Sequence, residues 1–320
     1  MKTIGIVTPG GDAPGMNAAI RAVTRIAHSQ KLQVLGFHRG WDGLLTNNCK
    51  RLTPRLVGGI IQWGGTILHT LRCAKFEEEE GVKKAAETLA LNNVDGLVII
   101  GGDGSFRGAL DLARESSALM VGVPATIDND VFGSDETIGF DTAMNTAVKA
   151  IDQIRDTAIS HERIFIVEVM GRKRGFLALN VGITVGAEVI LIPENECKMS
   201  QIVEVLKENA SKGKKTAIIV AAEGVGDTAA IAKEIENHTG SEVRLSILGY
   251  AQRGGSPTAR SRLLASIFAE KAIELLCQEV GNKVIGLRNG SVATTDLDES
   301  CRKRKQIDTR LLKLAEMLAI

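Results

Sequence analysis

Short apolar runs rich in Val, Ile and Leu recur along the chain, and amphipathic segments follow them. Residues 4–8 form such a run, and residues 16–28 then carry apolar side chains at helical spacing. Pro14 lies where a helix tolerates proline in its first turn. The pattern returns at 96–100, with a helix expected from Phe106. Further strands are predicted at 164–169, 188–192, 216–221 and 243–248.

The predicted fold class is α/β. Strands that read as continuous Val/Ile/Leu runs are buried on both faces, so the sheets should be mainly parallel with helices on each side. A chain of 320 residues is long enough for two Rossmann-like lobes of ordinary size. No low-complexity linker marks a boundary, so the two lobes are inferred from length and strand count.

Composition and charge exclude several classes of protein. Apolar residues make up 44% of the chain, while 39 Lys and Arg against 38 Asp and Glu give a net charge of +1. That balance argues against a dedicated nucleic-acid binder. No apolar run approaches 18 residues and no leader is visible, so neither a membrane span nor a signal peptide is expected. The five scattered cysteines are best interpreted as reduced thiols, which predicts a cytoplasmic protein.

Many of the 34 glycines cluster in short loops that follow predicted strands. Ligands of doubly wound sheets bind beyond the carboxyl ends of the strands, where PGGDAPG (9–15), GGDGS (101–105) and PATIDND (124–130) should lie. Glycine loops before helices favour phosphate, although a tight strand-to-helix turn explains each loop equally well. Neither of the first two is a Walker loop or a GxGxxG fingerprint. Asp103 among phosphate-binding amides indicates a Mg²⁺ ion.

PATIDND carries a hydroxyl and two carboxylates without histidine or cysteine nearby. If the segment is extended, Thr126, Asp128 and Asp130 project to one side. One carboxylate can accept a proton from an attacking hydroxyl while another helps to place a metal. Phosphoryl transfer requires little more than positioning, a base and positive charge. The alternative is an Asx-rich turn that caps the helix that follows.

Six segments together resemble bacterial ATP-dependent 6-phosphofructokinases. They match the signatures of that family in order and spacing: GGDAPGMNAAIR (10–21), IGGDGS (100–105), TIDND (126–130), VEVMGR (167–172), AEG (222–224) and QRGGSPTA (252–259). The resemblance implies transfer of the ATP γ-phosphate to the 1-hydroxyl of fructose 6-phosphate, a committed step of glycolysis, with Mg²⁺ in a cytosolic homotetramer. It also implies a larger ATP-binding lobe (1–138 plus 251–303) and a smaller fructose 6-phosphate-binding lobe (139–250 plus 304–320).

The resemblance assigns roles to residues of this chain. Asp128 is similar to the general base, with Thr126 and Asp130 beside it. Arg72 and Arg172 resemble the arginines that stabilise charge on the moving phosphoryl group. The ATP site is implied at Gly11, Arg72, Cys73, Gly102, Asp103, Gly104 and Ser105, with Asp103 as the Mg²⁺ ligand and Gly11 also in the catalytic set.

The resemblance further implies two other sets of contacts. Arg163 and Arg244 resemble a pair that reaches the sugar 6-phosphate from a neighbouring subunit. The sugar site as a whole is implied at Thr126, Asp128, Arg163, Met170, Gly171, Arg172, Glu223, Arg244, Tyr250 and Arg253. An effector pocket for ADP or phosphoenolpyruvate is implied at Arg21, Arg25, Arg55, Arg155, Glu188, Lys212 and Lys214, although SKGKK is also an ordinary solvated turn.

Several positions depart from the family pattern. Tyr250 replaces a usual histidine, which affects the sugar site, while Cys73 and Glu77 affect ATP affinity. Pro54 and Arg55 shift an effector-site arginine by one position.

Gly104 and Ala125 bear on the donor. Relatives that use pyrophosphate carry Asp and Lys at those two positions, so ATP is favoured over pyrophosphate. A catalytically silent sensor would not need the set Asp103, Asp128, Asp130 and Arg172, and a nicotinamide dehydrogenase lacks its fingerprint here. RKRK at 302–305 is interpreted as a solvated segment.

Overall fold

The computed structural model describes residues 1–319 and divides them into two compact units. The large unit comprises Met1–Thr142 and Arg253–Lys305, and the small unit comprises Ala143–Gln252 with the residues from Gln306 onward. The chain therefore passes from one unit to the other three times. Which substrate each unit binds stays a prediction at this stage.

Twelve strands form two sheets among the described residues. In chain order they are β1 (Thr3–Val7), β2 (Gln33–Phe37), β3 (Cys49–Leu52), β4 (Gly96–Gly101), β5 (Leu119–Thr126), β6 (Ile138–Gly139), β7 (Ile164–Val169), β8 (Val189–Leu191), β9 (Ala217–Ala222), β10 (Val243–Ile247), β11 (Lys283–Arg288) and β12 (Ser291–Asp296). The sheet of the large unit has the order β12-β11-β5-β4-β1-β2-β3, with β6 paired to β5. The sheet of the small unit has the order β10-β7-β9-β8.

The pairing is mainly parallel, as the apolar runs predict. Only the edge strands β3 and β12 pair antiparallel in the large unit, and all pairs of the small unit are parallel. Strands β4 and β9, which read GLVIIG and AIIVAA, are buried at every position. Full burial of each Val, Leu or Ile stabilises the fold by about 1.5–3 kcal/mol. The predicted α/β class with helices and mainly parallel sheets is confirmed.

Eleven α-helices connect the strands of the described chain. They are α1 (Met16–Ser29), α2 (Trp41–Leu45), α3 (Glu79–Leu91), α4 (Asp103–Glu115), α5 (Phe140–His161), α6 (Phe176–Val185), α7 (Met199–Ser211), α8 (Thr228–Thr239), α9 (Ala259–Cys277), α10 (Leu297–Arg302) and α11 (Thr309–Leu318). Short 3₁₀ helices lie at Ala74–Glu77, Glu223–Val225 and Gly249–Gln252. Within the described residues no helix combines the length and apolarity that crossing a membrane requires.

Three local expectations are wrong in detail. Helix α4 begins at Asp103 and not at Phe106, because the first turn closes on the Gly102 carbonyl. Pro14 precedes α1, since Gly15 with φ 110° takes the N-cap position. Strand β5 continues through Pro124 to Thr126, so the first three of the seven residues of PATIDND belong to the strand.

Candidate active site

The large unit places two glycine loops side by side at the reversal point of its strand order. Strands β1 and β4 are neighbours, and the chain leaves them in opposite directions across the sheet. Ser105 Oγ donates a hydrogen bond to the Pro9 carbonyl over 2.9 Å. A Cβ on Gly10 would stand 3.0 Å from the same Oγ, so the two loops touch. Ligands of doubly wound sheets bind at this kind of crevice.

The second loop ends in the amino terminus of α4. Gly102 caps this helix without a side-chain hydrogen bond, and Ser105 and Phe106 both donate to its carbonyl. The first N–H groups of a helix carry partial positive charge and suit an anion. A Cβ built on Gly104 meets nothing within 4 Å, so the face of the first turn is open. An open first turn of this kind suits a phosphate group, so residues 101–105 are named the phosphate-binding loop.

Asp103 lies in this first turn and is neutralised by Arg107. Arg107 Nε donates to Asp103 Oδ2 over 3.0 Å. This hydrogen bond, with the charge of Asp103 and the weaker field of Asp130, raises the pKa of Arg107. Both predicted metal-placing carboxylates therefore act on one guanidinium, which sequence reasoning missed. An arginine one turn after a predicted metal ligand was the available signal.

The residues fit a magnesium ion only together with phosphate. Within residues 1–319 no group of three His, Cys, Asp or Glu side chains converges to hold a metal. Mg²⁺ commonly binds one or two carboxylates and takes its other ligands from substrate phosphates and water. Asp103, at the open first turn of α4, satisfies that requirement.

PATIDND is extended only as far as Thr126 and then continues as a compact turn. Strand β5 ends at Thr126, whose Oγ1 accepts the Asp128 N–H over 3.2 Å, and Asn129 has φ 51°. The predicted projection of three side chains to one side is therefore wrong. Thr137 Oγ1 donates to the Thr126 carbonyl over 2.6 Å and fixes the end of the strand. The alternative of a helix cap is also wrong, because the next helix begins at Phe140.

The turn holds Asp128 beside the phosphate-binding loop. Asp128 is only 8% exposed, and Asn129 is held by an Nδ2 hydrogen bond to the Asp135 carbonyl over 3.1 Å. A Cβ on Gly102 would lie 3.3 Å from Thr126 Cβ, so the two loops are in contact. A largely buried carboxylate in a fixed turn next to a phosphate loop is suited to accept a proton.

The segment that carries Arg72 and Cys73 is attached to the first glycine loop. Thr70 Oγ1 donates to the Gly10 carbonyl over 2.7 Å. Cys73 is half-buried against the core cluster that contains Trp41 and Phe76, whose rings stack 4.3 Å apart at 2°. The structure thus brings this segment to Gly11 and its neighbours, while Arg72 itself is exposed.

Arg253 also belongs to the glycine-loop side of the large unit. Its Nη2 donates to Asp12 Oδ1 over 2.6 Å. The sequence predicted a role for Arg253 at the sugar phosphate, and that role stays a prediction. Asp12, inside PGGDAPG, is a partner that sequence reasoning did not identify.

In the small unit, loops from three neighbouring strands meet around residues 170–172. Met170 N–H donates to Gln252 Oε1 over 2.9 Å, from the segment that follows β10. The Arg172 N–H donates to the Glu223 carboxylate at the end of β9. Because β7 lies between β10 and β9, its loop is held from both sides. The predicted sugar contacts Met170, Gly171, Arg172 and Glu223 are thus adjacent.

The predicted phosphate pair of arginines also meets in the small unit. Arg163 Nε donates to Glu242 Oε2 over 2.5 Å, and Arg244 forms an ion pair with the other carboxylate oxygen. Glu242 therefore gathers the two guanidinium groups. Sequence reasoning missed Glu242, although it lies two residues before Arg244 and directly precedes β10. Tyr250 is 76% exposed on the 3₁₀ turn that follows.

The predicted effector residues fall into separate groups. In the small unit, Lys214 Nζ lies 2.6 Å from Glu188 Oε1, and the buried Glu188 also accepts the Ile218 N–H over 2.6 Å. Arg155 Nη2 donates to the Val185 carbonyl over 2.5 Å. Lys212, the C-cap residue of α7, instead donates from Nζ to Glu208 Oε1 over 2.8 Å, a bond the prediction did not include.

The remaining effector residues lie in the large unit. Arg21 and Arg25 share helix α1, and Arg25 Nη2 reaches the Pro54 carbonyl at 3.5 Å, next to the exposed Arg55.

This combination of a doubly wound sheet, paired glycine loops and a buried carboxylate defines an α/β phosphate-binding protein of the phosphotransferase type. The phosphofructokinase family model matches residues 3–276. An "ATP-dependent 6-phosphofructokinase 1" of Thermus thermophilus is 50% identical over 322 residues, which cover all of both chains. The chain belongs to the phosphofructokinase family, as its motifs predict.

Solved structures agree with the family and the fold. A phosphofructokinase from Saccharomyces cerevisiae has a TM-score of 0.88 at 34% identity and covers 100% of this chain and 48% of its own. A pyrophosphate-dependent phosphofructokinase from Marinobacter aquaeolei has a TM-score of 0.85 at 19% identity, with 100% of this chain and 92% of its own covered. At that identity the second likeness concerns the fold alone.

Proposed function

We propose that this protein is an ATP-dependent 6-phosphofructokinase. It transfers the γ-phosphoryl group of ATP to the 1-hydroxyl of fructose 6-phosphate and releases fructose 1,6-bisphosphate and ADP in glycolysis. Family membership and the name of a relative 50% identical over the full length support this function. The observation that carries the chemistry is the largely buried Asp128, in a turn whose Thr126 packs against Gly102 of the phosphate-binding loop.

Asp128 acts as the general base in this mechanism. It accepts the proton of the sugar 1-hydroxyl as that oxygen attacks the γ-phosphorus, and the terminal bridging bond of ATP breaks. Phosphoryl transfer depends chiefly on alignment and on neutralising charge that spreads over the equatorial oxygens. Arg72 and Arg172 supply positive charge for this purpose, and Thr126 fixes the turn that carries Asp128 through its Oγ1.

The nucleotide phosphates bind at Gly11 and at the first turn of α4, where residues 102–105 present N–H groups. Magnesium, when bound, offsets the charge of the phosphate oxygens, and Asp103 would hold it with support from Asp130. Arg107 pairs with Asp103 in this structure and supplies positive charge to the carboxylates of Asp103 and Asp130 before magnesium binds. Cys73 lies beside the adenine, where its small side chain leaves more room than an aromatic ring.

The sugar phosphate binds to the small unit. Met170, Gly171, Arg172, Glu223 and Tyr250 contact the sugar. The Arg163–Arg244 pair, joined by Arg253, reaches the 6-phosphate of a sugar that is bound to a neighbouring copy. Guanidinium groups suit a phosphate monoester because their paired N–H donors match two oxygens. The meeting of both arginines on Glu242 supports their action as one unit.

We further propose a regulated cytosolic homotetramer. ADP or phosphoenolpyruvate binds at the cationic set Arg21, Arg25, Arg55, Arg155, Glu188, Lys212 and Lys214. The contact of Lys214 with the buried Glu188 supports a built anion or metal–nucleotide site more than a solvated turn. A shift of the fructose 6-phosphate saturation curve by either metabolite, reduced in Arg25→Ala, tests this part separately.

A coupled assay decides between the donors. Purified protein with fructose 6-phosphate and Mg²⁺ should produce fructose 1,6-bisphosphate with ATP and little with pyrophosphate. Gly104 and Ala125 support ATP because neither offers a charged group in the space of the α-phosphate. Robust turnover with pyrophosphate and none with ATP would contradict the proposal, and no turnover with either would favour a silent sensor.

A further inference from the structure

Gln252 is fully buried and attaches two loops of the small unit to each other. It is the last residue of the 3₁₀ helix Gly249–Gln252 and is 0% exposed. Its Oε1 accepts the Met170 N–H over 2.9 Å. The start of the same segment is attached as well, since Leu248 N–H donates to the Glu168 carbonyl of β7 over 3.0 Å. The segment after β10 therefore follows the end of β7 at two points.

The loop that Gln252 holds has a strained backbone. Gly171 has φ 141° and Arg172 has φ 53°, and a Cβ on Gly171 would stand 2.5 Å from the Arg174 carbonyl oxygen. An arginine in the left-handed region persists only where its surroundings fix it. Here the Met170 N–H is fixed by Gln252 and the Arg172 N–H by Glu223.

The amide nitrogen of Gln252 indicates what this side chain contributes. Within residues 1–319, Gln252 Nε2 is buried and has no hydrogen-bond partner. A buried donor without a partner is unfavourable, so the Nε2 group does not account for the presence of an amide at this position. Within the described part of the chain, the Gln252 side chain makes one hydrogen bond, which it accepts from Met170 N–H. The Gln252 side chain therefore contributes by fixing the backbone geometry of the loop at Met170.

We propose that Gln252 is a positioning residue for the sugar site. It does not touch the substrate, but its Oε1 sets the backbone of Met170 and through it Gly171 and Arg172. This inference rests on the proposed function for its kinetic consequence. The hydrogen bond itself can be tested without any assumption about the reaction.

The kinetic test compares two substitutions that differ in the acceptor. Gln252→Met keeps the length of the side chain but removes the acceptor, so KM for fructose 6-phosphate should rise about tenfold, the effect of roughly one net hydrogen bond. KM for ATP should change less than about twofold, because the nucleotide loops lie in the large unit. Gln252→Glu keeps an oxygen for Met170 N–H and should restore most of the sugar affinity.

Asn209 provides a matched control. Its Nδ2 is the other buried side-chain donor without a partner among the described residues, and it lies on α7 away from residues 170–172. Asn209→Leu should change thermal stability without changing KM for fructose 6-phosphate, in assays without effector. If Gln252→Met does not fold, Gln252→Asn can replace it. Its side chain is one methylene shorter, so its oxygen lies farther from Met170 N–H and the same rise of KM for fructose 6-phosphate is expected.

Hydrogen–deuterium exchange provides the readout that does not depend on activity. In the unliganded protein, the Met170 amide should exchange at least about tenfold faster in Gln252→Met than in wild type or Gln252→Glu. An unchanged KM with unchanged exchange would overturn the inference, as would an equal rise of KM in Gln252→Met and Gln252→Glu. A wild-type protein that does not phosphorylate fructose 6-phosphate defeats the proposed function, while the exchange result still decides the role of Gln252.

Discussion

Asp128 illustrates how one carboxylate can have a local role and a chemical role at once. Its backbone N–H bonds to Thr126 Oγ1 and closes the turn, while its side chain is largely buried beside the phosphate loop. The local role belongs to the backbone and survives a change of side chain. The chemical role needs an oxygen that can accept a proton, so a substitution can separate the two.

Asp128→Asn should therefore reduce turnover while the protein stays folded. Loss of a general base commonly costs ~10²–10⁴-fold in rate, about 3–5 kcal/mol of barrier. KM for fructose 6-phosphate should change little or fall, because one negative charge near an anionic substrate is removed. Steady-state kinetics and circular dichroism measure the two effects. A folded variant with nearly normal turnover would reject Asp128 as the base.

Substitution of Gly104 tests whether a negative charge at this position weakens the binding of ATP. A Cβ there meets nothing within 4 Å, and an acidic residue in the first turn of a helix is favourable to the helix dipole, so Gly104→Asp should fold as well as wild type. Its carboxylate faces the phosphates, and like-charge repulsion of roughly 1–3 kcal/mol should raise KM for ATP about 10–100-fold. Gly104→Ala, which adds the Cβ without charge, should raise it much less. Equal effects in both variants would show that size matters and charge does not.

At the level of elements, the helices and strands were predictable because apolar residues recur at helical spacing in helices and form continuous runs in buried strands. Strand β7 begins and ends where the apolar run does, β4 ends one residue later than expected, and β9 is displaced by one residue at both ends. The element ends that were predicted wrongly are set by individual hydrogen bonds to backbone carbonyl groups. Helix α4 begins early because the Gly102 carbonyl accepts two N–H groups, and the turn after Thr126 depends on Thr137, eleven residues away. No local pattern contains such a distant contact.

Glu242 joins two such elements and permits a prediction with a definite sign. Its carboxylate binds Arg163 before β7 and Arg244 on β10, where the proposed function requires both arginines for a phosphate. Glu242→Gln removes the competing charge, so KM for fructose 6-phosphate should fall about 2–10-fold, and more at low ionic strength. Glu234→Gln, an exposed charge change on α8, is the control. A rise of KM in Glu242→Gln would indicate that the carboxylate pre-organises the arginines.

At the scale of the whole molecule, the family was predictable because six motifs occur in one order, and the expected division into two lobes came from the resemblance that they carry together and not from any single motif. The chain returns to the large unit at Arg253 and leaves it again after Lys305, and no low-complexity linker marks either point. Pairs such as Arg253 with Asp12 lie 241 residues apart, so the sequence alone does not reveal them. The sites that are proposed to include residues of a neighbouring copy are harder still to predict, because part of each site belongs to another chain.

Mixing two inactive variants tests that last step. Arg244→Ala retains the base but lacks a phosphate arginine, whereas Asp128→Ala lacks the base and retains the arginine. If Arg244 serves the site of a neighbouring copy, a site is intact when its base comes from the first variant and its arginine from the second. Random mixing of equal amounts makes about a quarter of the sites intact. We therefore expect about a quarter of the wild-type rate after the oligomers are dissociated and reassembled together, measured at fructose 6-phosphate near the wild-type KM.

Each variant treated alone is the control. Native mass spectrometry that finds mixed oligomers without recovered activity would assign Arg244 to the site of its own chain or to no site, and a fully active monomer would exclude the shared site.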